Sequence, residues 1–464
     1  MVLATALVAG CAMGPDYERP QVPDPEGYDQ PTVPGSSIAN LAWWELFQDP
    51  VLVELIETAL FNNKEMAIAA ARIEEARAAL GFVRADQFPN VDGAARGTRG
   101  NTLPGAPEPG GINEQWVLAA GVSWEIDLWG KLRRSTESAR AQLLATEEAR
   151  RAVTITLISD VAATYLLLLD LDNQVGISER TIVTREDSLK IIRARYDRGT
   201  VPLIDVNQAE IELGDAIASL AQVVRERERA ENRLSVLLGQ NPGSILRSNI
   251  TTREAINIPD IPVGLPSELL ERRPDVRQAE QELAAQTARI GVAEALRWPS
   301  LSLTGSLGLA SNELDDFISS DNKAWSVGGS LLGPVFHAGR SRTRVEQERA
   351  RTEQLISAYE LTVLRAFEEV ENSLVDLQTF RDEASAREAQ LVAAQSAAEL
   401  SRARYNGGVT SYLEVLESER SLFRTELQAS ATRRQQVVSL VTLYKALGGG
   451  WSTKQEVEVT SGSK

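Results

Sequence analysis

One helical hairpin is written twice in this chain. "IRARYDRGTVPLIDVNQAEIEL" at 192–213 and "SRARYNGGVTSYLEVLESERSLF" at 401–423 share a register of 209 residues. In that register Arg193, Ala194, Arg195, Tyr196, Gly199, Val206 and Glu210 recur as Arg402, Ala403, Arg404, Tyr405, Gly408, Val415 and Glu419. The register extends well past the hairpins. "LGFVRADQFPN" (80–90) falls on "IGVAEALRWPS" (290–300), and Gly121, Ser123 and Gly130 fall on Gly328, Ser330 and Gly339. Leu238–Gly239 falls on Leu447–Gly448. A drift of one to three residues across the copies implies one duplicated unit, and a duplicated unit constrains the fold before any other feature does.

Each copy reads in the same order. Ala-, Glu-, Arg- and Leu-rich helical stretches ("ARIEEARAAL", "RQAEQELAAQTARI") are stopped by Phe88–Pro89 and Trp298–Pro299, because proline lacks a donor and disfavours helix in the residue before it. Two strands follow in each copy, at about 88–128 and about 298–337. "QWVLAAGVSWEIDLW" places Trp116, Leu118, Ala120, Val122, Trp124, Ile126 and Leu128 on one face, with Gln115, Gly121, Ser123, Glu125 and Asp127 on the other. "SLSLTGSLGLA" alternates as cleanly, while "NVDGAARGTRG" and "AWSVGGSLLGPVF" match the period of two less well. Long proline-free helices are expected from about Leu132 to Tyr196 and from about Arg342 to Tyr405, with returning helices at about 203–238 and 412–447. The organisation is therefore a first repeat at 41–240, a connector at 241–266, a second repeat at 267–447 and a flexible tail at 448–464.

Acidic residues outnumber basic ones by 65 to 48, for a net charge of −17. That balance excludes nucleic acid, whose phosphates require a clustered positive surface. No window of 18 uncharged apolar residues exists, so no transmembrane helix is expected. The chain has one histidine, His337, expected in a strand, and one cysteine. With no phosphate-binding glycine loop and no ligand cluster, neither an enzyme, a cofactor nor a metal site is expected. Glu368–Glu369 in "RAFEEVENSL" reads as a solvated helix face.

The cysteine, Cys11, ends "ALVAGC", which resembles a bacterial lipobox. Residues 1–10 then read as the residue of an export signal, Cys11 as the lipidated position, and 11–40 as an extended, proline-containing tail. Ala12 after the cysteine points to the outer membrane, where acyl chains anchor without spanning.

Four strands cannot close a cylinder, and a membrane-spanning sheet must close. Three chains would supply twelve strands. A soluble sheet packed on the helices, and a plain coiled-coil scaffold, remain open readings of the same pattern. "LAWWELFQDPVLVELIETALFNN" (41–63), "SWEIDLWGK" (123–131), "ERRPDVRQAE" (271–280), the second hairpin and "ALGGGW" (446–451) then resemble the outer-membrane factor family. That is the TolC-like group, and within it the NodT-type lipoproteins. The resemblance covers essentially the whole mature chain. It implies a mainly α protein with a β-barrel part: a homotrimeric, twelve-stranded outer-membrane barrel continued by a twelve-helix periplasmic α-barrel. It also implies a passive exit duct served by a periplasmic adaptor and an inner-membrane transporter, proton-driven drug efflux being the expectation. An adhesin-like scaffold and a protein-secretion channel are the alternatives.

By the same resemblance, Leu413 and Glu417 match the apolar and acidic constriction positions of the periplasmic tip. Asp205 matches an acid that helps hold the tip closed. Gly199, Thr200 and Val201, with Gly407, Gly408, Val409 and Thr410, match the adaptor-docking turns. Asp205 also has a local reading as a helix-start acid, and Glu417 as a solvated residue. Thr410 departs from some family members that carry an arginine there, so that particular link between hairpins is not expected from the resemblance. Arg195, Arg402 and Arg404 are available for other links.

Overall fold

The computed structural model describes residues 12–22, 27–28, 47, 49–100, 113–248 and 266–449. Cys11, residues 1–10, most of the expected 11–40 tail, residues 251–265 of the connector and residues 450–464 lie outside them. The elements run α1 Pro50–Asn62, α2 Lys64–Ala85, β1 Asn90–Gly100, β2 Asn113–Ile126, α3 Lys131–Asp197 and α4 Leu203–Leu237. Then come α5 Pro266–Arg272, α6 Pro274–Ala295, β3 Ser300–Ser311, β4 Lys323–Leu332, α7 Arg340–Asn406 and α8 Tyr412–Ala446. Residues 209 or 210 apart give helices of matched length: α2 and α6 each have 22 residues, α3 and α7 each 67, α4 and α8 each 35. At 1.5 Å per residue a 67-residue helix is about 100 Å long.

The chain divides into two compact units. One comprises Ala71–Glu148, Arg277–Leu361 and the described residues up to Val22. It holds an antiparallel four-stranded sheet in the order β1-β2-β3-β4. Alternation gives the sheet two unlike faces. On one, Val91, Val122, Gly305 and Val327 form a cross-strand row, and Ala120, Leu307 and Trp325 another. On the other, Asp92, Gly121, Ser306 and Ser326 form a row, and Ser123, Thr304 and Gly328 another. The apolar side chains are not covered within the chain: Leu307 is 66% exposed, Trp325 75% and Val327 81%. Among the described residues no strand pairs with the outer edges of β1 and β4.

One expectation needs correcting here. His337 is not in a strand, since β4 ends at Leu332 and the His337 carbonyl accepts from the Arg340 N–H (2.9 Å) in the turn leading to α7. Pro334 has no N–H to extend the ladder. Residues 12–19, part of the expected extended tail, are fastened to the rest of the unit. The Met13 N–H donates to the Trp129 carbonyl (3.1 Å). Arg134 donates to the carbonyls of Met13 and Gly14 and to Asp16 Oδ1 (3.1, 3.3 and 2.7 Å). Further along, Arg19 Nε and Tyr17 OH donate to Glu280 Oε1 (2.9 and 3.3 Å).

The second unit comprises Pro23–Ala70, Ala149–Val276 and the described residues from Thr362. Its core joins Leu52, Ile56 and Ala59 of α1 to Leu157, Val161, Tyr165 and Leu168 of α3, with Leu234 of α4, Val370 of α7 and Leu440 of α8. This core explains a second difference from the sequence reading. An 18-residue stretch of α3 is apolar enough to cross a membrane, with a mean hydropathy of 1.9, although it is not free of charge. Of that stretch 61% is buried, which marks it as core.

Candidate functional site: the paired helical hairpins

The ends of α3 and α7 close in the same way. Gly199 has φ +72° and Gly408 φ +71°, a region in which side-chain-bearing residues are strained. The Gly199 N–H donates to the Tyr196 carbonyl (2.7 Å), and the Thr200 N–H reaches back to that of Arg195 (3.0 Å). In the second hairpin Gly408 donates to Tyr405 (3.0 Å) and Val409 to Arg404 (2.9 Å). These paired bonds form the glycine-based helix stop that satisfies otherwise orphan carbonyls. The Thr200 hydroxyl adds a bond to the Arg195 carbonyl (2.8 Å). Gly407 precedes the left-handed residue and does not itself adopt positive φ.

The two hairpins share an apolar cluster. Leu189 and Ile192 of α3 and Val206 and Ala209 of α4 meet Tyr412, Val415 and Leu416 of α8, with Val201, Leu213 and Tyr405 packed against them. Helical spacing then decides where the sequence-selected residues fall. Residues 412, 415 and 416 face the cluster, so Leu413 and Glu417, one turn apart, lie on the other face of α8. Leu413 is 57% exposed, and the Glu417 side chain is 70% exposed and pairs with Arg420 Nη1 (3.1 Å).

Asp205 is half-buried in the first turn of α4. It stands in the first turn as its local reading expects, and the N-cap, Pro202, forms no side-chain cap bond. Burial pushes its carboxyl above the usual range. Thr410 donates its hydroxyl to Glu414 Oε2, and Arg404 pairs with Glu414 at 3.3 Å. Threonine therefore ties the turn to its own helix.

The links between hairpins lie deeper, and of the residues that form them the sequence singles out only Arg195 and Arg402 for such a role. Arg185 of α3 and Glu212 of α4, both almost fully buried, pair at 3.1 Å. Arg420 of α8 donates through Nε to Glu212 Oε1 (2.9 Å), crossing from the second hairpin to the first. Arg402 of α7 donates to Ser188 Oγ of α3 (2.6 Å) and to Glu419 of α8 (2.5 Å). Arg185 lies over the Phe423 ring (5.2 Å), and Arg195 over the Tyr405 ring (4.8 Å). Burial raises the Glu419 carboxyl, with Arg402 opposing the shift. Burial also lowers Arg185 and raises Tyr412.

Part of this network had a visible signal. Arg193–Glu210 and Arg402–Glu419 occupy the same places in the two copies, and both pairs stand at 2.5 Å. Their recurrence in the 209-residue register was already legible. Glu212–Arg420 has no counterpart in the repeat, and residues 208 apart in sequence offer no local pattern.

Proteins similar to this chain include efflux components. The family described as "Outer membrane efflux protein" matches residues 55–240 and again 265–449. The chain is 35% identical to the solvent efflux pump outer membrane protein SrpC of Pseudomonas putida, over 98% of each chain. It is 32% identical to the cation efflux system protein CusC of Escherichia coli O6:H1, over 97% of each. The solved open state of the Neisseria gonorrhoeae MtrE outer membrane channel superposes with a TM-score of 0.87 at 31% identity, covering 95% of this chain and 99% of that one. With two family matches that together span most of its length, the chain belongs to the outer membrane efflux protein family.

Proposed function

We infer that the chain is the outer-membrane exit duct of an efflux system, working as a homotrimer. The observation that carries the trimer is the sheet: four strands, one apolar face left uncovered and two open edges. Lipid tolerates no unpaired edge, and three copies joined β4 to β1 give a closed barrel of twelve strands. The apolar face would meet lipid and the Ser/Thr/Gly face would line water. Trp124, Trp129 and Trp298 gather where the strands meet the helices, with Trp129 and Trp298 stacked at 5.0 Å. Such aromatic residues suit a membrane interface. Met13 is bonded to Trp129, which supports Cys11 as a lipid anchor at that interface.

Four helices per trimmed repeat pair, α3, α4, α7 and α8, would make the twelve-helix α-barrel that continues the duct through the periplasm. The matched element lengths support reading 41–240 and 267–447 as tandem copies. At the tip, Leu413 and Glu417 stand on the α8 face not used for packing, available to a threefold axis. There three carboxylates favour cations and three leucines restrict wetting. Asp205 and the cross-hairpin links hold the tip packed. The turns at Gly199–Val201 and Gly407–Thr410 are the docking surface for a periplasmic adaptor, which joins the duct to an inner-membrane transporter, in our reading a proton-driven one. Relatives of nearly equal identity carry solvent and cation names, so cargo choice is assigned to the transporter.

Purified trimer in planar bilayers should conduct, and Glu417→Gln should raise conductance or weaken cation preference. A trimer that stays silent after Asp205 and Glu417 are both neutralised would overturn the duct.

A further inference from the structure

The polar face of the sheet carries two charges that nothing in the fold uses. Asp92 and Arg96 both lie on β1, both are exposed, and neither forms an ion pair among the described residues. Asp92 shares its row with Gly121, Ser306 and Ser326, and Arg96 with Val117 and Ala310. None of these neighbours carries charge. Two other charges of the strands are paired. Glu125 pairs with Lys131 at 2.5 Å, and Arg99, which alternates onto the apolar face, pairs with Glu114 at 3.0 Å. Lys323 also falls on the apolar face, opposite Leu309. Among the described residues Arg96 is thus the one basic side chain on the polar face of the four strands.

Arg96 and Asp92 do not cancel. Four residues of strand separate them by roughly 13 Å, beyond the Debye length of about 8 Å at physiological ionic strength. An exposed guanidinium stays protonated at any physiological pH. At its own depth, where the neighbouring side chains are small and neutral, it sets the local potential, as Asp92 does with the opposite sign about 13 Å along the strand.

We propose that Arg96 is a charge-selecting residue of the duct wall, favouring anionic over cationic solutes along the inner surface of the β part. This rests on the reading of the polar face as the water-lined one. Three copies would place three guanidinium groups around the lumen, the arrangement by which rings of basic residues select anions. It would act apart from Glu417 and with the opposite preference.

The test reads the potential directly and does not depend on the tip. Ala94 is two residues from Arg96 and two from Asp92 on the same face of β1, so Asp92 contributes equally with and without Arg96 and the change on removing Arg96 is what is read. The chain has a single cysteine, Cys11, whose background is measured in the parent protein. In the full-length trimer, Ala94→Cys is reacted with anionic and cationic methanethiosulfonates, with and without Arg96→Gln. For a unit charge about 7 Å away in water, Coulomb's law gives roughly a seven-fold fall in the anionic-to-cationic rate ratio on removing Arg96. The effect should be clear near 0.01 M salt, where the Debye length is about 30 Å, and gone near 1 M, where it is about 3 Å. Arg96→Lys should keep the parent ratio. A ratio unmoved by Arg96→Gln while Ala94→Cys reacts readily overturns the proposal alone. If Ala94→Cys is inert to both reagents and Leu118→Cys on the opposite face reacts, the lumen assignment fails and the proposal with it.

Discussion

The residue that most distinguishes this tip is Glu212. It sits almost fully buried between Arg185 of its own hairpin and Arg420 of the other. Deleting one partner of a buried pair strands the other, at a cost of about 3–5 kcal/mol. Glu212→Ala should therefore loosen the tip hairpins, seen as faster amide exchange at 185–212 and 412–420 and as raised conductance. Exchange that stays at the parent rate would assign the hold to the apolar cluster instead. By contrast Arg420–Glu417 is exposed, and pairs of that kind contribute little. A pH response follows from Asp205 and Glu419. Burial raises both carboxyls. Glu419 faces Arg402 of α7, Arg185 of α3 and Glu212 of α4. A carboxyl raised in the packed state binds its proton more tightly there than in an opened, hydrated tip. The packed tip is thus favoured as pH falls through the upper carboxylate range, and loses that advantage as pH rises past it. Conductance should fall on mild acidification, and Asp205→Asn should blunt the fall.

At the scale of elements, sequence periodicity was a reliable guide to helices and to the two well-alternating strands. The long helix expected over about 132–196 runs Lys131–Asp197, because 65 residues without proline and with strong helix formers leave no competing structure. β1 was harder to read. "NVDGAARGTRG" has only Val91 as a large apolar residue, and its eleven-residue pairing with β2 comes from cross-strand register rather than its own pattern. The faces of the sheet make a sharp prediction. Leu307 and Ser306 are neighbours on opposite faces, near the middle of β3. Arginine on the lipid side at mid-depth costs about 2–4 kcal/mol. Leu307→Arg should therefore depress outer-membrane yield and thermal stability of the assembly, while Ser306→Arg is tolerated. Equal tolerance of both would refute the assignment of faces.

For the whole molecule, what matters is how the sheet edges are satisfied. Among its described residues one chain leaves β1 and β4 each with an unpaired side. Native mass spectrometry of the detergent-solubilised protein should find chiefly three copies, and conductance should track that species. A conducting monomer would show that the strands close by some other route. The same logic accounts for the duplication. A repeat that supplies two strands and one hairpin gives, in three chains, a closed ring built from six similar parts.

By itself the sequence determined the repeat, the helix lengths, the glycine turns, the alternation of the strands and, through its motifs, the family. All of these are local or periodic signals, carried by residues a few positions apart or by one constant offset. The tertiary structure alone decided which residues tie the hairpins together. Glu212 meets Arg420, and Arg402 meets Ser188, across more than 200 positions. It also decided that Asp205 is half-buried in the first turn of its helix, and that α3's apolar stretch is core. Burial and partnership depend on which helix faces come together, and no spacing along a chain records that.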